Sequence, residues 1–512
     1  MANLNPNSTN YFHSYEPNTN DLTMAMDYNE AGEPIIRTVG YNSPGGNTFF
    51  GANYSIPLLP ILQLNSYEGI KERNTQTYTG GGGSVSENGD ITVSCSTTPG
   101  SYGVYRSLRF IPYRAGQSCV ARVLGKFDTA VAGTQQRLGV ANQENGYFVG
   151  YNGTSFQFLH AHSGVAEQWE LDVNNTASAN QTITLTLNSV ATTIAILSGD
   201  TVNTIAQKIS LAFDDSVWLA DQVDDKVKLL SGSLGNLTGT FSFASTGNVT
   251  GTLTEKVSGV SATEQWHDIT LPSWLVPTDY THWQFQYAWQ GVRVYALRDT
   301  SGTWELVHSH MPAECSISQT ELMATNPSFK TTAVAYNTGG STAVTVHVSS
   351  FAGFVEGEEA ITSFTHGGGV TQTSMASGTY WHIMSIQNPY TTANDKINYR
   401  SIRFLDLTVA VQCNDPVEFY IFFNGQPVSP AVFNFVSYPN RLYSADVTKK
   451  VFDHTLDTPV AALIAGITGS NSQFDLRPYN LVLPPGTHMS LVAYSTNSLN
   501  KVTIGGTWSQ VG

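Results

Sequence analysis

What most limits the fold open to this chain is strict two-residue alternation in short runs. Trp283-Gln284-Phe285-Gln286-Tyr287 alternates bulky apolar with polar side chains, Val292-Arg293-Val294-Tyr295-Ala296-Leu297 follows directly after Gly291, and Trp304-Glu305-Leu306-Val307-His308 comes after the turn residues Asp299-Thr300-Ser301-Gly302. Successive side chains of a strand point to opposite faces, so runs of this kind divided by Gly and Asp turns read as antiparallel strands, and many of them as a sandwich or jelly roll. Earlier runs, Ile91-Thr92-Val93-Ser94-Cys95 and Ser118 to Leu124, have the same character, as do the later Trp381 to Ile386, Ile402 to Val409 and Val417 to Phe423. The expected fold class is mostly β: two antiparallel β-sandwich or jelly-roll domains, the first interrupted by a small inserted α+β domain, with an extended N-terminal arm.

The interruption is read from a repeated tripeptide. Glu-Gln-Trp stands at 167–169 and again at 264–266, as if a junction had been duplicated around an inserted module. Between the copies the pattern changes. Ile183 to Leu187 and Thr193 to Ile196 suggest a hairpin around Asn188-Ser189, and Asp200-Thr201 is placed to cap a helix whose Ile205, Ile209 and Ala212 share one face. Insertions are tolerated best at exposed loop tips, so the module is expected to project from its host. The divisions are thus an arm over 1–75, rich in Asn, Pro, Ser, Thr and Gly; a split sandwich over 76–169 and 264–355; the module over 170–263; and a C-terminal sandwich over 360–512. Gly80 to Gly83 reads as a hinge or loop before the first folded domain, Gly367 to Gly369 as a loop before the last, and Asn424-Gly425 as a hairpin turn.

Composition removes several classes of function. Only 12% of residues are charged and the net charge is −15, with no concentrated Lys/Arg patch. Phosphate contacts need such patches, so nucleic acid is not an expected partner. The apolar stretch from Ile56 to Leu62 is short and holds Pro57 and Pro60, so no helical membrane span is expected, and the polar start is not a secretory signal. Cys95, Cys119, Cys315 and Cys413 lack C-x-x-C spacing and read as buried thiols rather than a zinc or redox motif.

Against this background, Asn145-Gly146-Tyr147-Phe148-Val149-Gly150-Tyr151-Asn152-Gly153-Thr154-Ser155-Phe156 resembles a motif of structural proteins of large double-stranded DNA viruses and some tailed phages. The pattern from Trp283 to His308 is similar too, and Trp381 to Ile386 with Leu405-Asp406-Leu407 more weakly so. The resemblance implies a virion component of the minor capsid, decoration, spike or fibre type, on the outer surface of the particle. Other capsid or virion proteins would be its partners, and a homo-oligomer such as a trimer or pentamer its assembly state. It supplies no ligand-binding residues.

The chemistry-bearing candidates each have an ordinary reading. His160 and His162, like His308 and His310, are two apart and share a strand face, but two ligands alone hold zinc poorly, so no metal or other cofactor is expected. Glu356, Glu358 and Glu359 in a Gly-rich linker read as solvated charges rather than a glycosidase pair. No G-x-S-x-G, P-loop or H-E-x-x-H occurs, so no catalytic residues are assigned and an enzyme is not expected. Asn152, Asn180, Asn236 and Asn248 are formal glycosylation acceptors that read as turn residues. Trp274, Tyr280 and Trp283 suit sugar stacking as well as core or interface packing, which keeps a glycan-binding attachment protein as the alternative function.

Overall fold

In a computed structural model the described residues are 58–68, 74–213, 217–232, 239–311, 323–357, 365–424, 433–435, 444–448, 450–452, 459–465, 471–477 and 481–511, with three short strands before them. Those strands, Tyr11–Phe12, Met24–Tyr28 and Pro34–Thr38, pair into a small antiparallel sheet within the stretch read as an arm. The described residues are mostly strand, and every pairing in the ladders is antiparallel.

Two large sheets enclose the first core. The seven-stranded sheet runs Thr263–Asp268, Ser155–His162, Gly146–Asn152, Thr134–Ala141, Lys330–Asn337, Tyr102–Ser107, Thr75–Gly80. The eight-stranded sheet runs Thr303–His310, Gly291–Arg298, Thr281–Ala288, Cys119–Phe127, Thr345–Glu356, Ile91–Ser94, Ser84–Glu87, with Leu58–Asn65 also on Thr345–Glu356. Both sheets mix strands from before and after 170–263. Trp283, Phe285 and Tyr287 point inward onto Val123, Leu138 and Phe158, as their alternation requires. The intervening Gln284 and Gln286 are buried as well, so they must be hydrogen-bonded. Gln284 accepts from Arg122 Nε at 2.9 Å, and Gln286 donates to Glu356 at 2.7 Å.

The tetraglycine lies inside this sandwich rather than ahead of it. It turns the chain from Thr75–Gly80 in one sheet to Ser84–Glu87 in the other, with Gly81 and Gly82 at φ +62° and +86°, backbone angles that side chains with a Cβ rarely adopt.

The chain leaves and re-enters the sandwich side by side. Ser155–His162 pairs with Thr263–Asp268 in the register His162↔Thr263, and just beyond it Val165 and Val260 exchange both backbone hydrogen bonds at 2.9 Å. The two Glu-Gln-Trp copies end in different sheets: Gln168 and Trp169 start a strand of the sheet Trp218–Val223, Lys226–Ser231, Gln168–Asn174, Thr250–Val257, whereas Glu264 to Trp266 lie on the sandwich edge. A three-stranded sheet, Val190–Ile196, Gln181–Leu187, Ser242–Ser245, and the helix Val202–Leu211 complete a separate apolar cluster around Leu171, Ile183, Leu185, Ile205 and Ile209.

The third cluster lies between two further sheets. One runs Thr365–Met375, Leu499–Val511, Ser401–Gln412, Asn471–Asp475, with Val482–Leu483 also on Ser401–Gln412. The other runs Asn434–Phe435, Ser444–Asp446, Trp381–Asn388, Thr487–Tyr494, Val417–Phe423, Ala461–Ala465, with Lys450–Val451 also on Trp381–Asn388. Ile402, Val409, Ile504 and Trp508 from the first meet Ile383, Phe419 and Leu491 from the second. Gly367 to Gly369, read as a loop, form part of a strand. A Cβ at Gly368 would stand 2.8 Å from the Trp508 ring, so the glycine lets the two strands keep that large side chain between them. Gly425 lies outside the described residues; Asn424 has the positive φ, 54°, that such a turn needs.

The segment 170–263 does not stand clear of its neighbours. Asp221, on its outer strand, is buried and accepts from Gln387 Nε2 at 3.2 Å and from the Tyr390 backbone N–H. Lys228 donates to Asp395 at 2.7 Å and to the Thr392 carbonyl at 3.1 Å, and Leu219 and Leu230 pack on Tyr390 and Ile397. On its other side Tyr78 and Arg106 of the first sandwich both donate to the Gly232 carbonyl at 3.0 Å. The expected projection is therefore replaced by docking on two sides. Paired buried charges and satisfied carbonyls explain why: each contact removes polar groups from water only where a partner is waiting.

Candidate functional site

The two histidine pairs, separate in the sequence, meet in space. Ser155–His162 and Thr263–Asp268 form one edge of the seven-stranded sheet, and Thr303–His310 is the matching edge of the eight-stranded sheet. Residues two apart share a strand face, so Phe158, His160 and His162 point the same way, and cross-strand pairing puts His267 beside Phe158. His308 and His310 face them from the other sheet. The ring of His310 lies 4.8 Å from that of His160 and 4.5 Å from that of His267, and His308 lies 4.6 Å from Phe158. His160 and His162 are 4.6 Å apart, and Tyr147 stacks on His160 at 5.3 Å.

Hydrogen bonding sets the tautomers. His160 Nε2 lies 2.8 Å from the Met323 carbonyl, which only accepts, so this nitrogen carries the proton. His160 Nδ1 is then an acceptor, and His310 Nε2 donates to it at 3.1 Å. Burial disfavours the charged imidazole at His160, His267 and His310. It pushes His160 down to about 4 and His310, which the other histidines depress further, down to about 2; His267 is lowered by burial too. Among the described residues no three His, Cys, Asp or Glu side chains are placed to hold a metal ion together. The arrangement can therefore store neutral imidazoles and take up protons at a cost.

Sequence reasoning found four of these histidines and missed His267. The pairing of 155–162 with 263–268 across a long intervening segment is invisible to local periodicity. The signal lay in the repeated tripeptide: removing the intervening segment brings His267 near His162.

The other candidates take ordinary places. Glu356 is buried on Gln286, not solvated, while Glu358 and Glu359 lie outside the described residues. Trp283 is core, stacked on Phe156 at 5.8 Å. Trp274 donates to Glu305 at 2.8 Å, and Tyr280 donates to Asp90 with Lys126 4.9 Å over its ring. Asn248 organises a turn, donating to the Thr176 carbonyl at 2.8 Å and accepting from Ser178 N at 2.9 Å; Asn180 accepts from Ser198 N at 2.8 Å, and Asn152 bonds Gln135 and Gln157. Asn236 lies outside the described residues. Cys95, Cys119 and Cys413 are buried thiols donating to the carbonyls of Val344, Pro112 and Ser498, and Cys315 lies outside the described residues.

A cleft of about 580 Å³ opens between the outer face of the seven-stranded sheet and the 170–263 segment. Tyr78, Tyr102 and Tyr336 line it with Arg106, Arg137 and Asn188. Arg137 is bidentate on Glu264 at 2.7 and 2.9 Å and lies 5.4 Å over Trp266, so its charge is already matched.

These features define a mostly β protein whose ladders among the described residues are antiparallel and whose apolar side chains gather in three main clusters. No family model and no curated protein matches the chain. Among solved structures it is similar to one described as the triple jelly roll fold and turret assembly in an archaeal virus, at 9% identity over 90% of this chain and 98% of that one, with a TM-score of 0.14. It is also similar to one of Sulfolobus Turreted Icosahedral Virus, at 9% identity over 90% and 98%, TM-score 0.15, and to one of infectious bursal disease virus Gt strain, at 10% identity over 77% and 72%, TM-score 0.17. Scores this low define no shared topology, and the sheet orders above stand on this chain's own pairings.

Proposed function

We propose that the chain is a structural component of a virus particle, a surface-exposed minor capsid, decoration, spike or fibre protein that works through protein–protein assembly as a cyclic homo-oligomer. The observation that carries this reading is the stretch 145–156, whose sequence resembles that of virion structural proteins and which forms the hairpin of Gly146–Asn152 and Ser155–His162 within the seven-stranded sheet. The docking of three apolar clusters through buried polar contacts supports it, because a chain that assembles into a shell or spike must present fixed surfaces to its neighbours. On this reading 1–75 is an arm that anchors the subunit, its Leu58–Asn65 belonging to the chain's own first sandwich; 76–169 with 264–355 is a split sandwich, 170–263 is an inserted module, and 360–512 is a second sandwich. Deleting the gene from the source virus tests it: loss or instability of particles is the expected result, and intact, infectious particles of normal composition would reject it.

The cleft favours a second reading, attachment to a host glycan. Tyrosine rings stack on sugar faces, and neutral amides with a charge-matched arginine suit hydroxyl groups. Binding to a panel of oligosaccharides, weakened about tenfold by Tyr102→Ala or Tyr336→Ala, is the expected signature. A panel with no binder sinks it, as do variants that bind like the wild type.

A further inference from the structure

The histidine cluster is unexplained by an assembly role. It joins the two sheets of the first sandwich only at their common edge, through His160, His162 and His267 on one side and His308 and His310 on the other. We propose that this cluster is an acid-sensitive latch: it holds the two sheet edges together while its imidazoles are neutral and releases them when two or more take up protons.

The hydrogen-bond chain supplies the reason. With His160 Nε2–H committed to Met323, one added proton can be shared between His160 Nδ1 and His310 Nε2 if His310 changes tautomer. A second proton leaves two N–H groups opposed across 3.1 Å and two like charges in a buried site. The nearby charged groups among the described residues are engaged elsewhere. Glu264 is held by Arg137, Asp268 by Gln157, Glu305 by Trp274 and Arg298, Glu167 by Trp169, and Arg293 by Tyr295. Tyr147, stacked on His160, is itself kept neutral by burial. The charges of the neighbouring histidines act on both His160 and His310 and disfavour their protonation.

The sign follows from the lowered values of His160, His267 and His310. A histidine whose folded value lies below its unfolded value of about 6.5 contributes stability that is whole above that pH and is lost as pH falls toward the folded value. For His160 the window runs from about 6.5 down to about 4. Global acid unfolding would not isolate the latch, because buried His382 in the C-terminal sheets is also depressed.

Local hydrogen exchange does isolate it. In the full chain, exchange is followed by mass spectrometry from about pH 7.5 to about pH 4.5, corrected for the pH dependence of intrinsic exchange. The expected result is a rise of about tenfold or more in Ser155–His162, Thr263–Asp268 and Thr303–His310, with Ser401–Gln412 and Leu499–Val511 unchanged. His308→Phe keeps a ring against Phe158 and removes one of the charges that depress His310, so the opening midpoint moves to lower pH; His162→Gln, which also relieves His310 and lies at a half-buried site, does the same if the first variant fails to fold. Equal protection of the three strands across the pH range overturns the proposal, as does an unchanged midpoint in the folded variants.

Discussion

Lys330 begins a central strand of the first sandwich with its amine buried beneath Phe110, the nitrogen 4.6 Å from the ring centroid and without a hydrogen-bond partner among the described residues. A cation over an aromatic ring gains about 2 kcal/mol when desolvated, less than the several kcal/mol that removing an ammonium from water costs. Desolvation wins and holds the amine well below the usual lysine value. A lowered value means that stability is lost as pH falls from about 10.4 toward the folded value, so Lys330→Met is expected to raise stability at neutral pH by about 1–3 kcal/mol and to flatten that part of the pH dependence. Denaturant unfolding at pH 7 and pH 9 checks both; a destabilised variant would contradict the assignment. Asp221 is the opposite case, a buried carboxylate whose acceptor role is filled by Gln387 and the Tyr390 N–H. Asp221→Ala strands those donors and is expected to cost about 1–3 kcal/mol in the same measurement. Neither residue could be singled out from the sequence, because burial of a polar side chain depends on which distant segment covers it.

The helix Val202–Leu211 was legible because its signals are local. Thr201 caps it, accepting from Thr204 N at 3.3 Å, and Ile205 and Ile209 share the buried face. Thr201→Ala is expected to lower stability by about 1 kcal/mol, read from thermal or denaturant unfolding. The hairpin at Asn188-Ser189 was legible for the same reason, both residues adopting positive φ. Glycine runs were not. Gly80 to Gly83 and Gly367 to Gly369 look alike in sequence, yet one turns between sheets and the other is a strand lying against Trp508. Only the partner distinguishes them, and that partner lies far along the chain. Gly368→Leu forces a side chain against the indole and is expected to cost about 1–3 kcal/mol, again by denaturant unfolding.

At the scale of the whole molecule, alternation made the β class readable, but sheet order was not, since long-range pairing leaves no local trace. The histidine cluster shows the same limit: its residues were visible, their meeting was not. The register His162↔Thr263 predicts that joining 162 to 263 through a two-residue Asn-Gly turn leaves the first sandwich folded while exposing the face of 387–397 that the intervening segment covers. Circular dichroism and limited proteolysis would show a strand-rich, protease-resistant product cut near 390, and an unfolded product would contradict the register argument. The central claim, a structural place in a virus particle, is tested most directly by a cryo-EM map of particles from the source virus. The account predicts ordered density for the two sheet pairs in a repeating, symmetric position at the particle surface, with Leu58–Asn65 on the chain's own first sandwich and residues 1–57 lying on a neighbouring subunit. Particles whose map and protein composition lack this chain would contradict it.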